Sequence, residues 1–187
     1  MSNILQEIFF AYWFFLPVGL ATLGAFFSAK IPYLKKLSYP ADFYLKFRGK
    51  RVFGSHKTIR GFIIGIICGI ITIYIQIFIY EQSAVFRQIM IFDYSLIDPI
   101  IFGSLCGLGA LVGDAIKSFF KRQNNIAPGK SWFPFDQMDQ IIGGIMLTWF
   151  YIQLDLSRYI LITVVWFLIH PFMTFVGYIF RLRRKPL

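Results

Sequence analysis

The sequence predicts an all-α integral membrane protein with five transmembrane helices, its N-terminus outside and its C-terminus cytoplasmic. Three observations carry this expectation. The chain is 57% apolar, with mean hydropathy +0.64 and only 15% charged residues, where a soluble domain has about 25%. Five stretches run without a charge, and 17 of the 19 Lys and Arg fall in alternate connections. Five spans of roughly 20 residues use about 100 positions. The 187 residues therefore hold one polytopic domain over 1–187 and no separate soluble one.

The charge-free stretches place the spans at about 8–29, 61–80, 96–116, 137–154 and 159–180. The first lacks a basic leader and is longer than a signal-peptide core, so it is expected to stay as a helix. The uncharged cores of the third and fourth, 99–113 and 140–154, are 15 residues each. They rise only about 22 Å against roughly 30 Å of hydrocarbon. To cross, they must draw in flanking residues, among them Asp114 and Asp139, which then sit at similar depth near the inner surface. The last span is interrupted by His170-Pro171, which reads as a kink.

Orientation follows from Lys and Arg. The loop 30–60 holds nine, 117–130 holds four and the tail from Arg181 four, whereas the opposite side has only Arg87 and Arg158. The predicted cytoplasmic loops are 30–60 and 117–136. The net charge of +10 in a soluble protein points to nucleic acid. Here the bilayer takes it, through orientation and anionic lipid, and no nucleic-acid partner is expected. Cys68 and Cys106 lie in apolar stretches and read as small core residues, too few for a disulfide framework or zinc cluster.

Glycines recur at close helical spacing: Gly61, Gly65 and Gly69 in span two, Gly103, Gly107, Gly109 and Gly113 in span three, Gly143-Gly144 in span four. Small residues at this spacing let backbones approach. Spans two to four are expected to form a tight inner bundle, with spans one and five peripheral.

Three polar clusters then meet on the cytoplasmic side. Before span two, glycines flank Lys57, Thr58 and Arg60 in GSHKTIRG; Lys and Arg hold phosphate as a point charge and as a planar fork. The spacing is not that of a Walker A motif, and His56 reads as a solvated loop residue. Ending span three, Asp114, Lys117, Ser118 and Lys121 share one helical face, followed by Arg122. Opening span four, Asp136 and Asp139 share a face behind Pro134, which is expected in the first helical turn. Like charges at this spacing repel, and no cation lies within four residues; a shared Mg²⁺ relieves the repulsion. Magnesium typically takes one or two carboxylates with substrate phosphates and water. Together the clusters are what a Mg²⁺–nucleoside triphosphate complex needs: cations for phosphate, carboxylates for metal.

These motifs resemble those of the CDP-archaeol synthase family, small membrane cytidylyltransferases distantly related to CDP-diacylglycerol synthases. The resemblance rests on GDAIKSFFKR, then Pro128-Gly129, Trp132, DQMD and Gly143-Gly144, on the upstream GSHKTIRG, and on His170-Pro171. It runs in order over roughly 48–171. Three departures stand out. Ala29 stands three residues before Pro32, where the family commonly has Asn; Ile59 replaces a frequent Trp; and residues 35–47 match nothing in the pattern.

The resemblance implies that CTP and a lipid phosphate, most specifically unsaturated archaeol phosphate, give a CDP-lipid and pyrophosphate at the cytoplasmic face of the cell membrane. It also implies Mg²⁺ held by Asp114, Asp136 and Asp139. Catalytic residues are then Asp114, Lys117, Asp136 and Asp139, and phosphate ligands Lys57, Thr58, Arg60, Lys117, Ser118, Lys121 and Arg122. A lipid phosphate is already anionic and needs no strong general base, and no Ser-His-Asp or Cys-His arrangement is visible. The alternative is a non-enzymatic module or small transporter whose basic face binds anionic lipid. Against it stand the carboxylates set among the basic residues.

Overall fold

The computed structural model describes residues 4–127 and 130–179, with side chains described to Ile169. Pro128-Gly129, the side chains of His170-Pro171 and the tail from Arg181 lie outside the described residues.

Five long helices follow the five apolar stretches: α1 (Ile4–Ser28), α2 (Ile59–Gln82), α4 (Pro99–Gln123), α5 (Phe135–Trp149) and α6 (Leu156–Ile179), with a short α3 (Ala84–Ile89) after α2. Among the described residues, three of them, α1, α2 and α4, are long and apolar enough to cross a membrane. Their starts are chemically marked. Thr58 caps α2 by accepting from Gly61 N at 3.3 Å. Asp98 caps α4 by accepting from Ile100 and Ile101 N, with Pro99 in the first turn, where its missing N–H costs nothing.

Several boundaries move. The segment 117–123, expected in a loop, continues α4 to Gln123. The third long helix therefore gains its length at the charged end, and Lys117 and Lys121 stay on the helical face that carries Asp114. The fourth begins earlier than the expected span and stops at Trp149. Pro134 precedes α5 as its capping residue, after a cis peptide, instead of entering the first turn. Loop 30–60 is built rather than open. It holds a 3₁₀ turn (Pro32–Leu37) and a two-residue-turn hairpin, β1 (Lys46–Phe47) against β2 (Lys50–Arg51). Arg48 and Gly49 at its tip both have positive φ, 52° and 77°, the combination that matches strand twist in tight hairpins.

The inner bundle is confirmed with one correction. Backbones touch where glycines face each other: a Cβ on Gly103 would lie 2.5 Å from Ile70 Cα, and one on Gly109 2.6 Å from the Gly143 oxygen. But α1 is not peripheral. Phe10, Phe14, Phe15, Val18 and Ala21 of α1 are fully buried or nearly so. Phe14 meets Phe102 of α4 at 5.5 Å and Phe15 meets Trp166 of α6 at 5.7 Å between ring centroids. Glycines leave room for backbone between α2, α4 and α5, and α1 fills the remaining side with rings. Cys106 is buried and Cys68 half-buried.

Candidate active site

The C-terminal ends of α1 and α4 and the N-terminal ends of α2 and α5 lie at one end of the bundle. Here a cleft of about 520 Å³ opens, within the usual size of a small-molecule site. One wall is the 53–61 segment with Lys57, Thr58 and Arg60; a second is α4 with Asp114, Lys117, Ser118, Lys121 and Arg122; a third is the end of α1 with Thr22, Ala25, Phe26 and Ala29. Every phosphate ligand expected from the sequence lines this cleft. Asp136 and Asp139 do not line it, but touch it through Lys117.

Lys117 is the hub. Its Nζ lies 3.1 Å from Asp114 Oδ1, 3.0 Å from Asp136 Oδ1 and 2.5 Å from Asp139 Oδ2. Lys57 pairs with the other oxygen of Asp114. Lys121, only 6% exposed, lies 3.0 Å from Asp136 Oδ1 and donates to the Lys130 carbonyl. The acidic pair that had no cation nearby in sequence therefore finds two across the helix interface. Among the described residues no group of three or more acidic, His or Cys side chains stands at metal-ligand spacing; the three carboxylates meet at an ammonium.

The geometry follows from packing. A Cβ at Gly113 would overlap the Asp139 carbonyl oxygen, so glycine there lets the first turn of α5 lie directly on α4. Asp136 sits in that first turn. It accepts the Trp132 N–H at 2.6 Å and pairs with both Lys117 and Lys121. Asp139 also accepts from Gln140 N at 2.6 Å, and the Gln140 side chain accepts from Thr22 of α1 at 2.8 Å.

Two of the arginines lining the cleft keep one N–H without a partner. Arg60 is 7% exposed and gives Nη1 to Ser38 Oγ at 2.9 Å, while its Nε has no partner; Arg122 Nε is likewise buried without one. Buried, unmatched N–H groups cost about 1–3 kcal/mol each. Five cations line the cleft against Asp114 there and the two carboxylates behind it. The Thr58 oxygen caps α2, leaving its hydroxyl hydrogen to donate. His56 is exposed and lines the rim.

Two contributors were missed. The α1 wall carries no charge, so nothing in its sequence marks it; Ala29, one of the departures noted above, is part of it. The second is Asp42, in the segment 35–47 that matched nothing. It is 2% exposed within an exposed loop. It pairs with Arg51 and accepts from Tyr44 N at 3.2 Å and from Phe53 N and Gly54 N at 3.1 Å each. Its pKa is raised by burial, but Arg51 and the three N–H groups outweigh this and hold it low. Gly54 has φ +87°, a backbone that favours glycine. Asp42 thus fixes the path by which the chain enters Lys57. Its only sequence signal is that it is the sole acid between Lys30 and Arg60.

Comparison with known proteins identifies the family of the chain. The chain is 32% identical over 144 residues to the CDP-archaeol synthase of Methanospirillum hungatei JF-1, covering 74% of this chain and 82% of that protein. It is 33% identical over 167 residues to the CDP-archaeol synthase of Pyrococcus furiosus, 89% and 90% of the two chains. A solved chain described as an intramembrane enzyme for archaeal membrane lipids biosynthesis shares the fold, with TM-score 0.64 and 22% identity over 91% of this chain and 93% of that one. The model of the CarS-like CDP-archaeol synthase family matches residues 4–186. The non-enzymatic alternative gives way to these matches: the chain belongs to the CDP-archaeol synthase family of CTP-using nucleotidyltransferases.

Proposed function

We propose that the cleft binds CTP through Lys57, Arg60, Lys117, Lys121 and Arg122, and that a lipid phosphate, most specifically unsaturated archaeol phosphate, attacks its α-phosphorus. A phosphate oxygen of the lipid forms a new P–O bond as the α–β bridging bond breaks, and pyrophosphate leaves with the bonding pair. The products are the CDP-lipid and pyrophosphate. The nucleophile is already anionic, so no side chain has to remove a proton. The chain's work is to orient two anions and offset their charge.

The convergence of five cations, Lys57, Arg60, Lys117, Lys121 and Arg122, on one cleft that also carries Asp114 is the observation that carries this reading. A second supports the lipid acceptor. An apolar groove of about 410 Å³ between α2 and α4 is lined by Ile63, Ile66, Leu108, Val112 and Ile116 and shares Phe53 and Phe62 with the cleft. A lipid can lay its chains in the groove while its phosphate reaches the cations.

The carboxylates of Asp114, Asp136 and Asp139 are hard oxygen donors of the kind Mg²⁺ takes; they converge on the Lys117 ammonium and do not stand at metal-ligand spacing among the described residues, so an ion would take the ammonium's place. These residues would hold the ion. When bound, it supplies charge neutralisation on the triphosphate and the leaving pyrophosphate. By the Lys and Arg bias, the cleft end faces the cytoplasm and five helices span the membrane.

The test is purified protein in vesicles with each labelled nucleoside triphosphate in turn, Mg²⁺ and a panel of lipid phosphates. Pyrophosphate release from CTP that requires the lipid is the expected result. Release without any lipid phosphate, or none from CTP under every lipid, overturns the reading.

A further inference from the structure

The hairpin in the first cytoplasmic connection presents large apolar side chains that nothing among the described residues covers. Phe43 is 61% exposed, Tyr44 57% and Leu45 63%. Such a concentration at one small hairpin marks a contact surface. It does not stand alone. The Phe47 ring lies 5.7 Å from Phe119 of α4, and Phe119 lies 5.4 Å from the half-exposed Phe120. Lys50 Nζ donates to the Gln123 carbonyl at 2.8 Å. Two distant segments thus build one aromatic strip around the charged end of α4.

Cations are interleaved with the rings. The Arg48 guanidinium sits 5.4 Å from the Phe47 centroid and that of Arg51 4.9 Å from Tyr44. The one acid of the connection, Asp42, is buried against Arg51, so the outward charge is wholly positive. The connection leaves α1 at its C-terminal end and enters α2 at its N-terminal end, two helices long and apolar enough to span. Rings that are apolar on their faces, set among Lys and Arg at the end of spanning helices, match the membrane–water boundary: rings rest at headgroup level and cations meet anionic lipid.

We propose that the 42–51 hairpin, with Phe119 and Phe120, is a headgroup-docking surface for anionic lipid of the membrane the protein spans, beside the mouth of the cleft. This surface is separate from the phosphate site and does not depend on the reaction assigned to it. None of its rings lines the cleft.

The unmodified protein provides the test. It is placed one copy per nanodisc, in phosphatidylcholine alone or with about 30% phosphatidylglycerol, a mixture giving the negative surface that attracts basic segments. Trypsin cleavage after Lys46 and Arg48 is timed by mass spectrometry. The expected result is cleavage at least about fivefold slower in the anionic discs, since each Lys or Arg near such a surface gains about a factor of five. A nitroxide on Leu45→Cys, with Cys68 and Cys106 changed to Ala, gives a second readout. It is expected to collide more with oxygen than with a water-soluble nickel chelate, and more so in anionic discs. Equal cleavage and equal collision in both lipids overturn the proposal, as does protection that appears only with two copies per disc, which assigns the strip to a second chain.

Discussion

Lys117 of α4 and Asp139 of α5 meet across a glycine-tight helix interface, Nζ to Oδ2 2.5 Å. The same ammonium also serves Asp114 and Asp136. One lysine thus holds three carboxylates together, and its loss leaves them facing one another in a largely water-poor site. Breaking a buried ion pair by removing one partner typically costs about 3–5 kcal/mol. Lys117→Met is expected to lose about 3 kcal/mol of stability and at least about 10²-fold in turnover. Because Asp139 then has no cation, and Asp114 and Asp136 keep only Lys57 and Lys121, added Mg²⁺ is expected to raise its melting temperature more than that of the parent. Equal Mg²⁺ effects on the two proteins, in a thermal melt, contradict a shared carboxylate site.

Gly113 offers a separation of packing from chemistry. A Cβ there would overlap the Asp139 carbonyl oxygen, and one on Gly109 would press on the Gly143–Gly144 backbone a turn further from the cleft. Overpacking of this kind costs about 1–3 kcal/mol. Gly113→Ala and Gly109→Ala are both expected to lower the melting temperature. Only Gly113→Ala is expected to lower kcat disproportionately, by about tenfold or more, because it moves Asp139. Comparable kcat in the two variants at matched stability contradicts that link.

The bundle was legible because charge-free length and glycine spacing are local signals. The cleft's cations were legible because Lys57, Arg60 and the Asp114–Lys121 face fall on short motifs. What stayed hidden depended on partners far away in sequence. The cations that neutralise Asp136 and Asp139 come from α4, some 20 residues upstream. The α1 wall was hidden because Ala25 and Ala29 contribute space rather than charge, and the core role of α1 because an all-round apolar helix reads the same whether it faces protein or lipid. The hairpin had one faint mark, Gly49 beside Arg48, and Asp42 had none beyond its sign.

Asp42 is expected to act on binding rather than on chemistry. In Asp42→Asn the two N–H anchors that set the 53–54 backbone are weakened and Arg51 loses its counter-charge. Donors left poorly matched cost about 1–3 kcal/mol. The KM for CTP is expected to rise about fivefold to tenfold with kcat within about twofold, and Asp42→Glu to recover part of it. The pH dependence has a definite sign. Asp42 has a pKa held below the ordinary carboxylate value. Its stabilisation is therefore complete above the unfolded value of about 3.9 and is lost as pH falls through the lower folded value. Stability is expected to be insensitive to this group from pH 5 to 8 and to fall below about pH 4. Urea melts across that range measure it, and a fall beginning near pH 6 in the parent that is absent from Asp42→Asn contradicts the assignment.

Asp114 and Asp139 face Lys117 from different helices, yet only Asp114 lines the cleft. If both hold the divalent ion, Asp114→Asn and Asp139→Asn each lower turnover at least about 10²-fold, a loss of about 2.7 kcal/mol of transition-state stabilisation, with the folded protein retained. Both shift the Mg²⁺ requirement to higher concentration, because an amide oxygen is a weaker ligand than a carboxylate. EDTA is expected to abolish turnover in the parent, and added Mg²⁺ to restore it. Asp136 provides the internal comparison. Its oxygens are also engaged by Lys121 and by the Trp132 N–H, so Asp136→Asn is expected to destabilise the α4–α5 connection as well as weaken metal binding. An Asp139→Asn protein with near-normal turnover and unchanged Mg²⁺ dependence removes that residue from the metal set and leaves it as a counter-charge for Lys117.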